Sequence, residues 1–477
     1  MVFSTTAFLF AFLPAFLLSY ALLPWKNTVA LVFSLLFFSW GEGSYVLLLL
    51  AVIALNYVAG SLIAVSELDA KPWRRGPSRC SILTLAVCLN LATLFYYKYF
   101  AFVVSDVFGL PLSENLAPHL PLGISFFIFQ SISYLVDVYR RDAVAARSYF
   151  DLALYISMFP QLIAGPIVRY TAVAQDLQER SIVAADVIQG LRWFVVGLAY
   201  KVLLANNNAE IADAVFTAAP SGLSAGAAWL GVLAYTLQIF FDFAGYSLMA
   251  MGLGRVMGFH FPRNFNYPYV SRSITEFWRR WHMSLSSWFR DYLYIPLGGN
   301  RSGSLQTYRN LVVVFFLCGL WHGAAWTFVI WGLFHGGLLV LERWGLSEVL
   351  ARLPFGLSMA YTLLMIMLGW VFFRADSLYE AIAIVHAMTG LVANGDVSSV
   401  SSFTSKENLL FLGVAVVMCL PWLERGRWRT WVEPGTVQAR QGVIAIALDV
   451  FIGALLLGLC SIFVLSGTYN PFIYFRF

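Results

Sequence analysis

The sequence has few charged residues and many long apolar runs. Only 12% of its 477 residues are charged and 60% are hydrophobic, whereas a soluble domain carries roughly a quarter charged residues. Apolar runs of about 20 residues, which match the thickness of a bilayer, recur along the chain. The net charge of +5 is interpreted as basic cytoplasmic loops, so we expect no nucleic-acid partner. The composition predicts a multi-pass helical membrane protein.

Cysteines and the short motifs of common enzyme classes are also scarce. The five cysteines have no zinc-like spacing and suggest no disulfide framework. The sequence has no Walker motif, no zinc motif and no Gly-x-Ser-x-Gly elbow. We therefore expect no bound metal and no resident cofactor. Because a basic leader and a small-residue cleavage site are lacking, we expect the first apolar run to be retained as a membrane span.

Apolar runs and basic clusters predict how the chain crosses the membrane. The apolar runs lie at about 8–23, 29–40, 45–65, 81–104, 120–138, 188–204, 229–257, 311–341, 357–373, 409–423 and 443–465. Basic clusters are expected in the cytoplasm, and they lie at 71–79, 140–147 and 425–440. Counting spans from these clusters places both termini outside.

One apolar segment, residues 150–169, is interrupted by Pro160 and by Gly165-Pro166. Proline and glycine interrupt helical hydrogen bonding, so we expect a re-entrant element that is buried in protein. No linker rich in proline, serine or charge and no internal repeat divides the chain. We therefore expect one domain over residues 1–477.

The most polar segment, residues 272–301, lies between apolar runs. Large apolar side chains recur in it at helical spacing, at Ile274, Phe277, Trp281, Leu285, Trp288 and Tyr292. This spacing predicts an amphipathic helix that lies at the membrane interface or dips beneath the bundle, ended by the turn at Pro296 and Gly298-Gly299. The simplest interpretation is a surface helix with tryptophan anchors. His282, at the boundary of the apolar face, favours a functional site.

A second histidine, His322, lies in the uncharged apolar run 311–341. A buried imidazole is a suitable general base because its unperturbed pKa is about 6.5, although a lone histidine is more often a hydrogen-bonded core residue. His335 lies thirteen positions on, roughly 20 Å away in one continuous helix, so the two cannot share a reacting atom there. His282 comes from a separate element and is expected to approach His322.

Several long motifs resemble one known family. They are residues 122–139, 162–167, 276–282 and 321–323. In these motifs the sequence resembles the membrane-bound O-acyltransferases, and within them the bacterial alginate and cellulose O-acetyltransferases, over essentially the whole chain. The resemblance implies an all-α, polytopic bundle, a ring of tilted helices around a thin central catalytic site, with re-entrant and interfacial amphipathic helices. It also implies that His322 is the catalytic histidine and His282 a second family histidine.

The function that the resemblance implies is O-acetylation of an exported polysaccharide, alginate or cellulose, at the bacterial inner membrane. The acetyl group would come from a cytoplasmic donor, acetyl-CoA. Periplasmic acetyltransferases of the SGNH type and a polysaccharide synthase complex would be the partners. Within the aromatic tail 469–477, Tyr474 would be a transient acyl carrier and Tyr469 the weaker candidate. An interfacial aromatic belt is the alternative interpretation of this tail.

Other residues are expected to support such a site. Four arginines of the polar segment are candidates for holding the donor phosphates or, equally, for contacting lipid headgroups; they are Arg279, Arg280, Arg290 and Arg301. Glu276 is expected to reach Arg279 and Arg280 one turn on, and Asn300 lies in the turn that ends the segment. Asp242 is expected to pair with an arginine of this segment. Related sequences usually carry an acid after Gly-Tyr-Ser, where Leu248 follows here, and Asp242 is a candidate to supply that charge.

Three other functions are compatible with the sequence. A transporter or flippase of an acyl carrier would perform no chemistry, and it would need inverted repeats or matching broken helices, which we do not find. A non-catalytic scaffold of a polysaccharide synthase is a further alternative. Transfer of D-alanyl groups, or of acyl groups to peptidoglycan, remains open among the enzymatic functions.

Overall fold

In the computed structural model the described part of the chain is built mainly from α-helices, as predicted. This part comprises residues 2–68, 78–113, 118–218, 223–301, 303–391, 400–421, 431, 443–467 and 469–473. The helices are α1 (Leu13–Leu22), α2 (Lys26–Glu42), α3 (Val46–Leu68), α4 (Arg79–Leu94), α5 (Phe100–Phe102), α6 (Ile124–Arg140), α7 (Tyr149–Ser157), α8 (Phe159–Leu162), α9 (Tyr170–Gln178), α10 (Ala184–Ala199), α11 (Asn206–Thr217), α12 (Ala225–Val256), α13 (Ile274–Arg280), α14 (Met283–Phe289), α15 (Ser304–His322), α16 (Trp326–Leu341), α17 (Ser347–Arg352), α18 (Phe355–Arg374), α19 (Leu378–Met388), α20 (Lys406–Met418) and α21 (Val443–Ser466).

Membrane-spanning length is reached by six helical stretches within the described residues. They are Lys26–Val65, Arg79–Val107, Ala184–Thr217, Ala225–Val256, Phe355–Arg374 and Ala447–Ser466. The first contains α2 and α3, which are joined by a 3₁₀ turn at Gly43–Tyr45. These stretches confirm a multi-pass membrane protein. Most of the first predicted basic cluster, 71–79, lies outside the described residues. In the third, 425–440, the structure describes Trp431 alone.

The chain divides into two compact units. The first comprises residues 1–191 and 249–262, and the second comprises residues 192–248 and 263–477. All candidate site residues that the structure describes therefore belong to the second unit.

In the first unit, the predicted interruption within residues 150–169 is confirmed. Helix α7 ends at Ser157, Met158 has non-helical torsion angles (φ −51°, ψ 112°), and Pro160 lies in the first turn of α8. The hydroxyl of Ser34 accepts a hydrogen bond from the Phe159 N–H at 3.1 Å. The side-chain amide of Gln161 donates to the carbonyl oxygen of Tyr155. All residues from 152 to 168 are buried, so these side chains satisfy backbone groups at the break inside the protein, where water cannot.

In the second unit, the apolar run 311–341 forms a helical hairpin, so it is not one continuous helix. Helix α15 ends at His322 and α16 begins at Trp326. Gly319 and Gly332 allow the two backbones to approach closely. A Cβ at Gly332 would lie 2.3 Å from the carbonyl oxygen of Phe315, and a Cβ at Gly319 would lie 2.3 Å from that of Phe328.

The polar segment is also broken, so the prediction of one continuous amphipathic helix there is wrong. Helix α13 ends before Trp281, and α14 begins after His282, whose torsion angles are left-handed (φ 42°, ψ 54°). The apolar residues of the predicted helical face are buried except for the half-buried Tyr292. The predicted turn is confirmed, since Gly298 and Gly299 have φ of 102° and 57°.

Candidate active site

His282 lies at the break between α13 and α14, where a neighbouring loop completes the backbone hydrogen bonding. The Met283 N–H donates to the carbonyl oxygen of Asn264 at 2.9 Å, and the Asn266 N–H donates to that of Arg280 at 2.9 Å. These two bonds substitute for the helical bonds that the break removes. They hold His282, which is fully buried, in a backbone conformation that a non-glycine residue rarely adopts.

The side chain of Asn264 fixes the orientation of the His282 ring. Its Oδ1 accepts hydrogen bonds from the backbone N–H and the hydroxyl of Ser284, at 3.3 and 2.9 Å. Nδ1 of His282 lies 3.1 Å from the same oxygen, so Nδ1 carries the hydrogen and donates it. Nε2 then carries no hydrogen and has a free lone pair. This atom is buried and has no hydrogen-bond partner among the described residues. Burial lowers the pKa of His282 to about 3, so the ring is neutral at physiological pH.

His322 is the last residue of α15 and lies in an aromatic wall. Its ring centroid is 4.9 Å from that of Trp321, 5.1 Å from that of Trp331 and 5.1 Å from that of Phe373. Only 6% of the residue is exposed. The extended backbone of Gly323 ends the helix at this point (φ −162°, ψ 149°). The hairpin therefore presents His322 at its tip, surrounded by apolar rings that exclude water.

The aromatic wall brings the three histidines of the second unit's interior into one cluster. The ring of Trp321 contacts both His322 and His282, the latter at 6.0 Å. The prediction that His282 lies in the neighbourhood of His322 is consistent with this arrangement. Trp331 contacts both His322 and His335, the latter at 5.0 Å. The separation of His322 and His335 was expected for one continuous helix. It does not apply because the chain reverses direction between α15 and α16.

A cavity of about 530 Å³ lies beside this cluster, a volume typical of small-molecule sites. It is lined mainly by apolar side chains of α13 to α16, together with Arg279 and Arg290. Trp278 also lines the cavity, and its Nε1–H donates to Nδ1 of His335 at 3.4 Å. Cys318 lines it as well, one helical turn before His322. The cavity thus extends from two arginines towards the tip of the hairpin.

The four candidate arginines are not gathered at one place. Arg279 and Arg290 line the cavity, whereas Arg280 pairs with Glu276 at 2.8 Å, as predicted for residues one turn apart. Arg290 also pairs with Asp291 at 2.6 Å. Arg301 and Asn300 are exposed in the turn after the polar segment. Two of the four predicted donor-binding arginines therefore have a suitable position.

Comparison with known proteins identifies the family. The model of the membrane-bound O-acyltransferase family matches residues 9–373. The chain belongs to this family. Among its relatives is "Probable alginate O-acetylase AlgI" of Azotobacter vinelandii, 39% identical over 100% of both chains. The protein of the same name from Pseudomonas putida is 40% identical, again over 100% of both chains. A "Peptidoglycan O-acetyltransferase" of Helicobacter pylori is 36% identical over 82% of this chain and 80% of the relative.

This membrane-bound O-acyltransferase has a further buried charge, Asp242, whose partner was predicted wrongly. Asp242 pairs with Lys201, with Nζ and Oδ1 2.9 Å apart and each side chain 1% exposed, and not with an arginine of the polar segment. Lys201 can reach Asp242 because the helices that carry them pack closely. A Cβ at Gly245 would lie 2.6 Å from the carbonyl oxygen of Gly197. This contact brings α12 against the chain just before Lys201.

Several residues of the site were not predicted from the sequence. Asn264 and Ser284 orient His282, and Trp331 links the histidines. A lysine within an apolar run is a signal that would have identified Lys201, because such charges are costly in a membrane. The other three carry no comparable signal. The predicted carrier Tyr474 lies outside the described residues.

Proposed function

We propose that this O-acyltransferase moves acetyl groups from acetyl-CoA across the bacterial inner membrane for O-acetylation of an exported polysaccharide, with alginate as the acceptor. The observation that carries the proposal is the cavity that leads from Arg279 and Arg290 to Cys318, one turn from His322. The names of the relatives with 39% and 40% identity support alginate. The name of the Helicobacter pylori relative makes peptidoglycan the rival acceptor.

In the proposed mechanism the arginines bind the phosphates of the donor, and its acyl arm enters the apolar cavity. His322 acts as the general base that takes the proton of the attacking Tyr474 hydroxyl, a contribution of about 10²- to 10⁴-fold. The ester bond to this oxygen forms as the thioester bond of the donor breaks, and coenzyme A leaves as the thiol with that proton. His282 is a neutral imidazole with a free Nε2 lone pair, and it orients the acceptor hydroxyl or the donor. Tyr474 passes the acetyl group to periplasmic partners of the SGNH type, in association with a polysaccharide synthase complex.

The proposed activity predicts that membranes containing this protein and its periplasmic partners transfer labelled acetyl groups from acetyl-CoA to added alginate. The assay measures label in the polysaccharide and also in peptidoglycan prepared from the same cells. Label in alginate alone supports the proposal. Label in peptidoglycan alone would show that peptidoglycan, and not alginate, is the acceptor. A flippase or a scaffold would release no acetyl group from the donor, so an intact donor after incubation would overturn the enzymatic proposal.

The cavity predicts which arginine controls donor affinity. Arg279→Ala is expected to raise the KM for acetyl-CoA by about tenfold and to change kcat less, because a charge-assisted hydrogen bond is worth about 1.5–3 kcal/mol. The measurement is initial rate against donor concentration. Arg301→Ala is the matched control, since Arg301 is an exposed arginine of the same segment. Equal KM values in the two variants would assign Arg279 to lipid contact.

A further inference from the structure

The buried pair of Lys201 and Asp242 has two hydrogen-bonding partners in the C-terminal tail. Lys201 Nζ donates to the carbonyl oxygen of Pro471. The Ile473 N–H donates to Asp242 Oδ2 at 2.9 Å. Two charges removed from water are costly unless further hydrogen bonds satisfy them. The tail supplies such bonds to both members of the pair, an acceptor to the lysine and a donor to the carboxylate.

Apolar and upstream contacts hold the same segment. The ring of Phe472 lies 5.0 Å from that of Tyr246, which is one turn after Asp242 on α12. Phe472 and Ile473 are each only 5% exposed. Further upstream, the hydroxyl of Tyr469 donates to Asp213. The described part of the tail therefore contacts the second unit, and Phe472 and Ile473 are packed inside it.

One anchor of the tail adjoins a residue that contacts His282, and the ion-pair partner of the other adjoins a residue that contacts His322. Asp242 precedes Phe243, whose ring centroid lies 4.6 Å from that of His282. Asp213 pairs with Arg374 at 2.5 Å, and Arg374 follows Phe373, which contacts His322. Helix α12 thus holds the tail and also forms part of the wall around His282, whereas α11 is linked to the wall around His322 through Arg374 of α18.

We propose that Lys201 and Asp242 are positioning residues that together form a docking site for the C-terminal tail. Their ion pair holds the backbone of residues 471–473 and thereby fixes the point from which the chain continues to Tyr474. Docking itself depends only on the described contacts. Its consequence for acetyl transfer rests on the proposed function, in which Tyr474 carries the acetyl group.

An exchange of the two charges tests the docking site. Lys201→Asp combined with Asp242→Lys restores an ion pair, but it places an acceptor against the carbonyl of Pro471 and a donor against the N–H of Ile473. The exchange therefore separates ion pairing from tail binding. The matched control exchanges Arg192 and Asp449, another ion pair of the second unit, with 2.7 Å between Nη2 and Oδ2.

Tail position is measured by the rate at which N-ethylmaleimide labels Ile473→Cys in protein whose other five cysteines are alanine. This substitution retains the backbone N–H and the Phe472 ring. Labelling in the exchange variant is expected to be at least about tenfold faster than in the unexchanged protein, as for local opening of a packed segment. Acetylation is expected to fall by about 10²-fold, because misplaced groups react slowly. The control exchange should change neither quantity.

A second double variant tests the docking site in case the charge-exchange variant does not fold. Lys201→Met with Asp242→Leu replaces the pair by apolar side chains, a change that is often neutral or stabilising, and it should also expose Ile473→Cys. Slow labelling in both double variants would overturn the docking site. Fast labelling with normal acetylation would support docking and overturn the role of the tail in acetyl transfer. Fast labelling with lost acetylation supports both.

Discussion

His322→Ala is expected to lower polysaccharide O-acetylation by about 10²- to 10⁴-fold, the usual contribution of a general base. The protein should still insert and accumulate, because the hairpin is held by the close contact of Gly319 with α16 and not by this imidazole. The measurement is acetyl content of the exported polysaccharide, normalised to the amount of protein in the membrane.

His386→Ala is the matched control for this variant. His386 is an exposed histidine of α19, in the same unit of the chain, and its loss should leave acetylation unchanged. His322→Gln, which retains hydrogen-bonding atoms and much of the side-chain volume, should be as inactive as His322→Ala if proton transfer is the role. Wild-type acetylation in His322→Gln would leave His322 as a packing residue of the aromatic wall.

Tyr474→Phe is expected to abolish acetylation as completely as His322→Ala, with normal amounts of protein. This substitution keeps the aromatic ring and removes only the hydroxyl that would carry the acetyl group. A phenol of pKa about 10 needs a base to become a nucleophile, and His322 is the proposed base. The measurement is again acetyl content of the polysaccharide, together with mass spectrometry of C-terminal peptides for an acetyl-tyrosine.

Tyr469→Phe provides the comparison within the same tail. Burial, and then the hydrogen bond to Asp213, raise the pKa of Tyr469, so its hydroxyl is a poorer nucleophile than an ordinary phenol. Tyr469→Phe should therefore reduce acetylation only as far as it loosens the tail. Full loss in Tyr469→Phe with full activity in Tyr474→Phe would exchange the roles of the two tyrosines.

Local patterns predicted the features that depend on neighbours in the chain. The pairing of Glu276 with Arg280 and the turn at Gly298-Gly299 were both confirmed, because each involves residues within one helical turn. The break near Pro160 was confirmed for the same reason. The break at His282 was not predicted, since the apolar spacing continues through it and no proline or glycine marks it. It is stabilised instead by the loop around Asn264.

The sequence by itself determined the class of molecule: low charge and long apolar runs require a helical membrane protein, and an uncharged run containing His322 marks a candidate base. Only the tertiary structure decided what surrounds that base. The hairpin places His335 near His322, and the tail joins Asp242 across 231 positions of the chain. Periodicity describes one element at a time, whereas such contacts follow from how closely separate helices pack.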